Sequence, residues 1–236
     1  MSVARTLYSV ITVLMFTSCA SEYKIHGNSS VSRLDGKMLF VKVPQGGEMI
    51  NVDSAEVVHG LFKMQGEIDS AVIASLYMDE QSILPLVMES GNIQIQIDNG
   101  RLTVSGTPLN DVLYDFVSKK NSLDDRAYEV ERLESRMIMD GMNHDSILVI
   151  LNKEAELINA ESDRLITSFI TKNYDNVLGA GVFMLLTSNF PYPILNPQIE
   201  TVLGMGTPYF LENAYVKEYV KIATENMEKL REEEQQ

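Results

Sequence analysis

The sequence predicts an α+β protein: an N-terminal antiparallel β-sandwich of about eight strands, followed by an α-helical region containing a long helical hairpin. Two observations predict it. From Tyr23 to Gly106 apolar and polar residues alternate, with turn signals every ten or so positions. After Thr107-Pro108 the apolar period lengthens to that of a helix. The organisation is a signal peptide over 1–18, a β-sandwich domain over 19–107 and an α-helical region over 108–236.

The first element is a targeting segment. A basic Arg5 precedes the apolar run Leu7 to Phe16, and the small polar pair Thr17-Ser18 follows it. The run is too short for a bilayer span, which needs roughly 20 apolar residues, and it reads as a secretory signal. Cys19, the one cysteine of the chain, stands at its exit, followed by Ala20-Ser21. That position predicts a lipoprotein cleavage site with the Cys19 sulfur acylated. Two or more acyl chains make anchoring stable, so the lipid holds the protein to the membrane. Ala20, rather than an Asp, favours the outer membrane. Cleavage leaves 18 Lys+Arg against 33 Asp+Glu, a net charge of −15. A field of that sign repels nucleic acid and anionic lipid.

The strands come next. Met38–Val43 and Leu61–Gly66 are strand candidates. Ala71–Met78 is nearly continuous apolar, which predicts a central strand buried on both faces. In Asn92–Asp98, Ile93, Ile95 and Ile97 fall on one face and Gln94 and Gln96 on the other. Asn99-Gly100 predicts a type I′ turn into Arg101–Gly106, and His59-Gly60 a similar turn before Leu61.

Pro108 opens the helices. Helical stripes predict segments at Leu109–Lys119, Leu123–Met139 and Asp145–Lys172, the last two forming an antiparallel hairpin around Gly141. Val177–Leu186 predicts a buried helix and Asn213–Arg231 a terminal one. Met137, Met139, Met142, Met184 and Met205 read as core filler, with an adaptable groove as the alternative.

Six segments carry a family resemblance: Tyr23–Gly27, Leu34–Lys37, Val52–Ala55, Gly60–Gly66, Met88–Ile93 and Val104–Asn110. Their order resembles the domain of unknown function numbered 4369, found in envelope lipoproteins of Bacteroidetes and often fused to a thioredoxin-like domain. In this reading Gly27, Gly66 and Gly106 are strand-end or bulge glycines, and Asp53-Ser54 is a turn or bulge with side-chain-to-backbone bonding. The resemblance would imply a redox domain after the final helix. No cysteine follows Cys19, so no thiol chemistry is carried over.

Candidate chemistry is sparse. His26, His59 and His144 lie in different elements without metal-ligand spacing, and no nucleophile elbow or phosphate loop is present. The chain has no Trp to wall a sugar cleft. No enzyme activity, cofactor or metal is expected. Phe190 and Tyr192, fixed by the alternating prolines Pro191 and Pro193, are the candidate partner-contact residues. The expectation is a non-catalytic binding or scaffold module of the cell envelope, held by its N-terminal lipid and facing an envelope protein partner. The alternative is an accessory or degenerate relative of thioredoxin-fused oxidoreductases that docks to a redox partner.

Overall fold

A computed structural model describes residues 21–188 and 190–233. Eight strands form two four-stranded sheets: β1 (Ser21–Ser29), β2 (Met38–Gln45), β3 (Glu48–Glu56), β4 (Leu61–Ile68), β5 (Val72–Met78), β6 (Gln81–Met88), β7 (Gly91–Asp98) and β8 (Arg101–Ser105). One sheet has the order β4-β1-β7-β8 and the other β3-β2-β5-β6. Ile25, Phe62, Ile93, Ile95 and Val104 of the first pack with Leu39, Val41, Leu76, Leu84 and Leu86 of the second. The α+β class and the sandwich are as the alternation predicts. One pairing departs from an all-antiparallel arrangement: β1 runs parallel to β7, Tyr23 opposite Gly91 through Ser29 opposite Ile97.

The turns refine the reading. His59 and Gly60 both have positive φ, 52° and 75°, as a type I′ turn requires. At Asn99-Gly100 only the glycine does, with φ 114°, so the type I′ expectation does not hold there. Asp53 Oδ1 accepts the Ser54 amide at 2.7 Å beside a register shift opposite Val41 and Lys42, which is the anticipated bulge.

Gly27 and Gly66 are neither strand-end nor bulge residues. They lie inside the β1–β4 ladder, opposite Phe62 and Tyr23. A Cβ on Gly27 would stand 1.9 Å from the Phe62 ring, and one on Gly66 would stand 2.8 Å from the Tyr23 hydroxyl. Each glycine makes room for a cross-strand aromatic ring. Gly106 does fall at a strand end, with φ 92°.

The helices are α1 (Pro108–Met139), α2 (His144–Lys172), α3 (Val177–Thr187), α4 (Pro197–Gly204), α5 (Pro208–Leu211) and α6 (Ala214–Glu233). The two predicted segments Leu109–Lys119 and Leu123–Met139 are one unbroken helix. Lys119–Asp115 and Lys120–Asp124 ion pairs, each four residues apart, carry it through the polar Asn121-Ser122 step. The predicted hairpin is α1–α2. Its turn follows helix-end rules: Gly141 has φ 74°, Met142 N bonds Met137 O at 3.1 Å and Gly141 N bonds Ile138 O at 3.1 Å. Asn143 then caps α2, its side chain accepting from the Asp145 amide at 2.9 Å.

A second core forms where Leu113, Phe116, Ile170, Tyr174, Phe183, Phe210, Val216 and Tyr219 meet. Val87 belongs to it, pointing outward from β6 while Leu86 and Met88 point into the sandwich. Gly181 of α3 rests on Ile73 of β5. The helices thus cover the outer face of the β5–β6 half of one sheet, a third layer. Ala74 and Leu76 of β5 are fully buried and Ile73 half-buried, close to the expected two-sided burial.

Candidate functional site

Two of the six motif segments meet at the joint between sheet and helix. Asn110, fully buried, binds Val87 with its whole amide: Oδ1 accepts Val87 N at 2.9 Å, and Nδ2 donates to Val87 O at 2.7 Å. Nδ2 also donates to Thr107 Oγ1 at 2.9 Å. Glu89 Oε1 accepts the Leu109 amide at 2.9 Å and the Asn110 amide at 3.0 Å. A carboxylate there answers free N–H groups and the positive end of α1. Asp111 Oδ1 accepts from Gly106 N at 2.9 Å. Every side-chain polar atom of this joint that is buried has a partner, so it is a structural clamp, not a site awaiting a ligand. Reading the residues singly hid it. The signal was that Glu89 and Asn110, each directly after an apolar residue, Met88 and Leu109, both sit in segments that carry the family resemblance.

The candidate contact residues part company. Phe190 packs, half-buried, on the helical core, whereas Tyr192 is 51% exposed. Their segment is pinned to α6: Tyr219 Oη donates to Ile194 O at 2.9 Å and accepts from Ile194 N at 3.1 Å, and Asn226 Nδ2 donates to Pro193 O at 2.9 Å. Tyr192 therefore stands on a braced loop. Cys19 lies outside the described residues. His26 lies in β1, His59 in the β3–β4 turn and His144 at the start of α2. Among the described residues no three His, Cys, Asp or Glu side chains gather as a metal site would need. Among these residues no helix is long and apolar enough to cross a membrane.

Met64 and Met88 do fill the sandwich core, but the five methionines named from the sequence do not. Met137 and Met184 are half-buried, and Met139, Met142 and Met205 are exposed, Met139 by 80%. Met137, Met139 and Met142 sit at the far end of the α1–α2 hairpin, beside exposed Ile138, Leu148, Val149 and Ile150. This outer half, from Leu123 to Met139 and from His144 to Ile158, contributes to neither core. Only Leu123, Ile147 and Ile158 are buried along it. At 1.5 Å per residue it extends about 25 Å. Exposed apolar side chains gathered at one place, rather than scattered singly, mark contact surfaces.

Arg126 and Glu161 join the two helices at the inner end of this arm, with Nη2–Oε1 at 3.3 Å as the second of two contacts. That hydrogen bond holds the Glu161 carboxyl below the ordinary carboxylate range and the Arg126 guanidinium above its own.

A groove of about 540 Å³ lies closer in, floored by Phe116 and Phe169 with ring centroids 4.3 Å apart and rimmed by Asp115, Lys119 and Lys172. Its charges are of both signs, and Ser168 also lines it.

Residues 23–113 match the family described as "Domain of unknown function (DUF4369)". The DUF4369 match starts in β1 and ends at Leu113, so it includes the sandwich and the Glu89–Asn110 clamp. The arm lies beyond it. No curated protein and no solved structure matches the chain.

Proposed function

We propose that the protein is a lipid-anchored cell-envelope module that binds or scaffolds other protein without catalysis, acylated at Cys19 and presenting its helical arm as the contact surface. The apolar exposure at the arm tip carries this reading. Ile138, Met139, Met142, Leu148 and Val149 remain in water although both cores are complete without them. An exposed cluster on a rigid two-helix support is what a recognition surface needs. What supports anchorage at the outer membrane is the sequence, where Cys19 ends a short apolar run and Ala20 follows it.

Two measurements test it. Cys19→Ser should shift the protein from membrane to soluble fractions or leave its signal uncut; normal maturation with membrane retention would overturn the anchor. A photo-cross-linking amino acid at Met139 should give covalent protein adducts in intact cells, and one at Thr103 should not. Equal yields at both positions, or none, would overturn the arm as the contact surface. Turnover by the purified protein of a thiol-disulfide substrate would overturn the non-catalytic reading.

A further inference from the structure

Tyr23 Oη donates to Asp53 Oδ2 at 2.7 Å, which sets β1 beside β3. The two strands point the same way: β3 enters the turn at 57–60, β4 leaves it in reverse, and β4 is antiparallel to β1. Followed back from that bond, Ser21 is two residues from Tyr23, and Asn51 is two from Asp53 with the bulge taking up one of them. Ser21 is therefore about level with Asn51 and Ile50, at one end of the sandwich. Ile68, opposite Ser21, lies there too. Only Ala20 separates Ser21 from Cys19, so at most about 7 Å of chain joins this end to the predicted lipid.

The β2–β3 hairpin ends in the same place. β2 leaves β5 after Lys42, whose partner is Ser75, so residues 43–50 form a ribbon of two strands with no third. Gly46 and Gly47, with φ 61° and 86°, close it in a tight turn. Its cross-strand pairs are Val43–Ile50 and Pro44–Met49. Neighbouring pairs point to opposite faces, so both faces of the ribbon are apolar. A ribbon standing in water ordinarily keeps one face polar. Here Pro44 is exposed, and Met49 and Ile50 are each 39% exposed. We propose that this ribbon enters the lipid surface beside the acyl anchor, with Pro44, Met49 and Ile50 at the boundary between headgroups and acyl chains. The proposal deepens the anchored-module reading above and rests on acylation of Cys19.

Position selects a lipid surface as the occupant. A membrane that holds Cys19 must lie against this end. From Ile50 to Gly47 the ribbon extends about 10 Å further, a reach comparable with that from Ser21 to Cys19. Charge selects the class of lipid. Glu48 is the one charged residue of 43–50, and Glu22, Glu67 and Asp69 share this end. Lys42, at the root of the ribbon, is held over the Tyr77 ring at 4.7 Å and by Glu80 at 3.5 Å, and Lys24 pairs with Glu22. The contact is therefore apolar and suits zwitterionic lipid, not anionic lipid. It also orients the molecule. α1 starts at this end, where Thr107 lies against Gly91, opposite Tyr23. It passes Val87 and then Pro85, and by Asp125 it has reached Arg101 and Gly100 at the opposite end. A seated ribbon thus holds the arm tip clear of the membrane.

The chain has no Trp, so a single introduced one reports on a single place. The mature lipoprotein carrying Met49→Trp, Leu61→Trp or Met139→Trp is reconstituted on phosphatidylcholine vesicles that contain brominated phosphatidylcholine, a quencher. Leu61, 54% exposed at the opposite end of the sandwich, and Met139 at the arm tip are the references. Quenching of the Met49→Trp protein should exceed that of either reference at least about threefold and persist in high salt. Adding Ile50→Asp should abolish it without releasing the protein from the vesicles. Circular dichroism checks each fold, and Ile50→Trp replaces Met49→Trp if that variant is perturbed. Equal quenching at all three positions, its loss in salt, or no quenching at the ribbon of vesicle-bound protein overturns the lipid contact. Mass spectrometry of Cys19 separates the two claims. An unacylated sulfur overturns anchor and ribbon seat together, whereas acylated protein with an unquenched ribbon overturns the seat alone.

Discussion

Asn110 and Val87 are joined by two hydrogen bonds in which a side-chain amide takes the place of a neighbouring strand: Val87 N to Oδ1 at 2.9 Å and Nδ2 to Val87 O at 2.7 Å. The pairing occupies the outer edge of β6, the last strand of its sheet, and fixes the first turn of α1 against it. Val87 itself lies in the helical core, so one residue couples sheet and helix through both its backbone and its side chain. Asn110→Ala would strand a buried amide and carbonyl, and each unsatisfied group costs about 1–3 kcal/mol. A loss of about 2–4 kcal/mol is expected in denaturant titration. Asn110→Asp should be comparably harmful, because it removes the three Nδ2 bonds, to Val87 O, Thr107 Oγ1 and Glu89 Oε1, and sets a second carboxylate beside Glu89.

The Gly27–Phe62 pair supports a second prediction. Gly27→Ala should destabilise by about 1–3 kcal/mol, because its methyl would enter the Phe62 ring. Phe62→Leu alone should also destabilise, through lost burial. The double variant should be less unstable than the sum of the two, by an amount a double-mutant cycle reads directly. Strict additivity would show that the ring does not depend on the missing side chain.

Much of this fold is readable from residue order, and the misses have physical causes. The period switch at Gly106–Pro108, the Ile93–Ile97 alternation and the hairpin at Gly141 are local signals, and each appears where the sequence places it. The parallel β1–β7 pairing is not local: its partners are about 70 residues apart, and neither strand's pattern encodes which neighbour it takes. Gly27 and Gly66 look like strand breakers until the rings opposite them are known. The short helices α4 and α5 did have a signature, Asn196-Pro197 and Thr207-Pro208, a capping residue followed by proline at the first helical position. Phe190 and Tyr192, alike in sequence, are separated by the Tyr219 and Asn226 bonds that hold their loop, which no spacing rule reveals. The arm methionines were read as core because helical periodicity reports which residues share a face, not whether anything covers it.

Alkaline pH tests the Tyr23–Asp53 contact. Tyr23 Oη donates to Asp53 Oδ2 at 2.7 Å; burial first, then that bond and the Asp53 charge, raise its ionisation well above the ordinary tyrosine value. A raised folded-state pKa means the folded form keeps its proton where the unfolded chain has lost it. The stabilisation is complete below the unfolded value of about 10 and is lost as pH rises beyond it. Tyr114, half-buried and donating to Pro85 O at 3.0 Å, acts in the same direction. Tyr23→Phe should therefore lower stability at pH 7 yet reduce its further fall above pH 10, as measured by unfolding at a series of pH values. An unchanged alkaline slope would exclude Tyr23 as a contributor.

The two ring residues of the braced loop should separate in mutagenesis. Phe190→Ala removes a half-buried ring from the helical core and should cost about 1–3 kcal/mol. Tyr192→Ala, at an exposed position, should stay within about 0.5 kcal/mol of the parent. Thermal unfolding of the two variants compares them directly, and a large loss for Tyr192→Ala would assign that ring to the fold.

Central placement of β1 bears on how the molecule carries load. β1 is bonded on one side to β4 and on the other to β7, through ladders of eight and seven residue pairs respectively. A tether at Cys19 would end two residues ahead of Ser21, so any pull on the protein from its anchor would enter along an inner strand. Force along that axis strains both ladders at once, in shear, rather than opening one bond at a time as it would at a sheet margin. A point of attachment there would also be among the hardest places of the sandwich to peel apart. Because β7 follows β1 by more than sixty residues, that resistance exists only after most of the domain has emerged and folded.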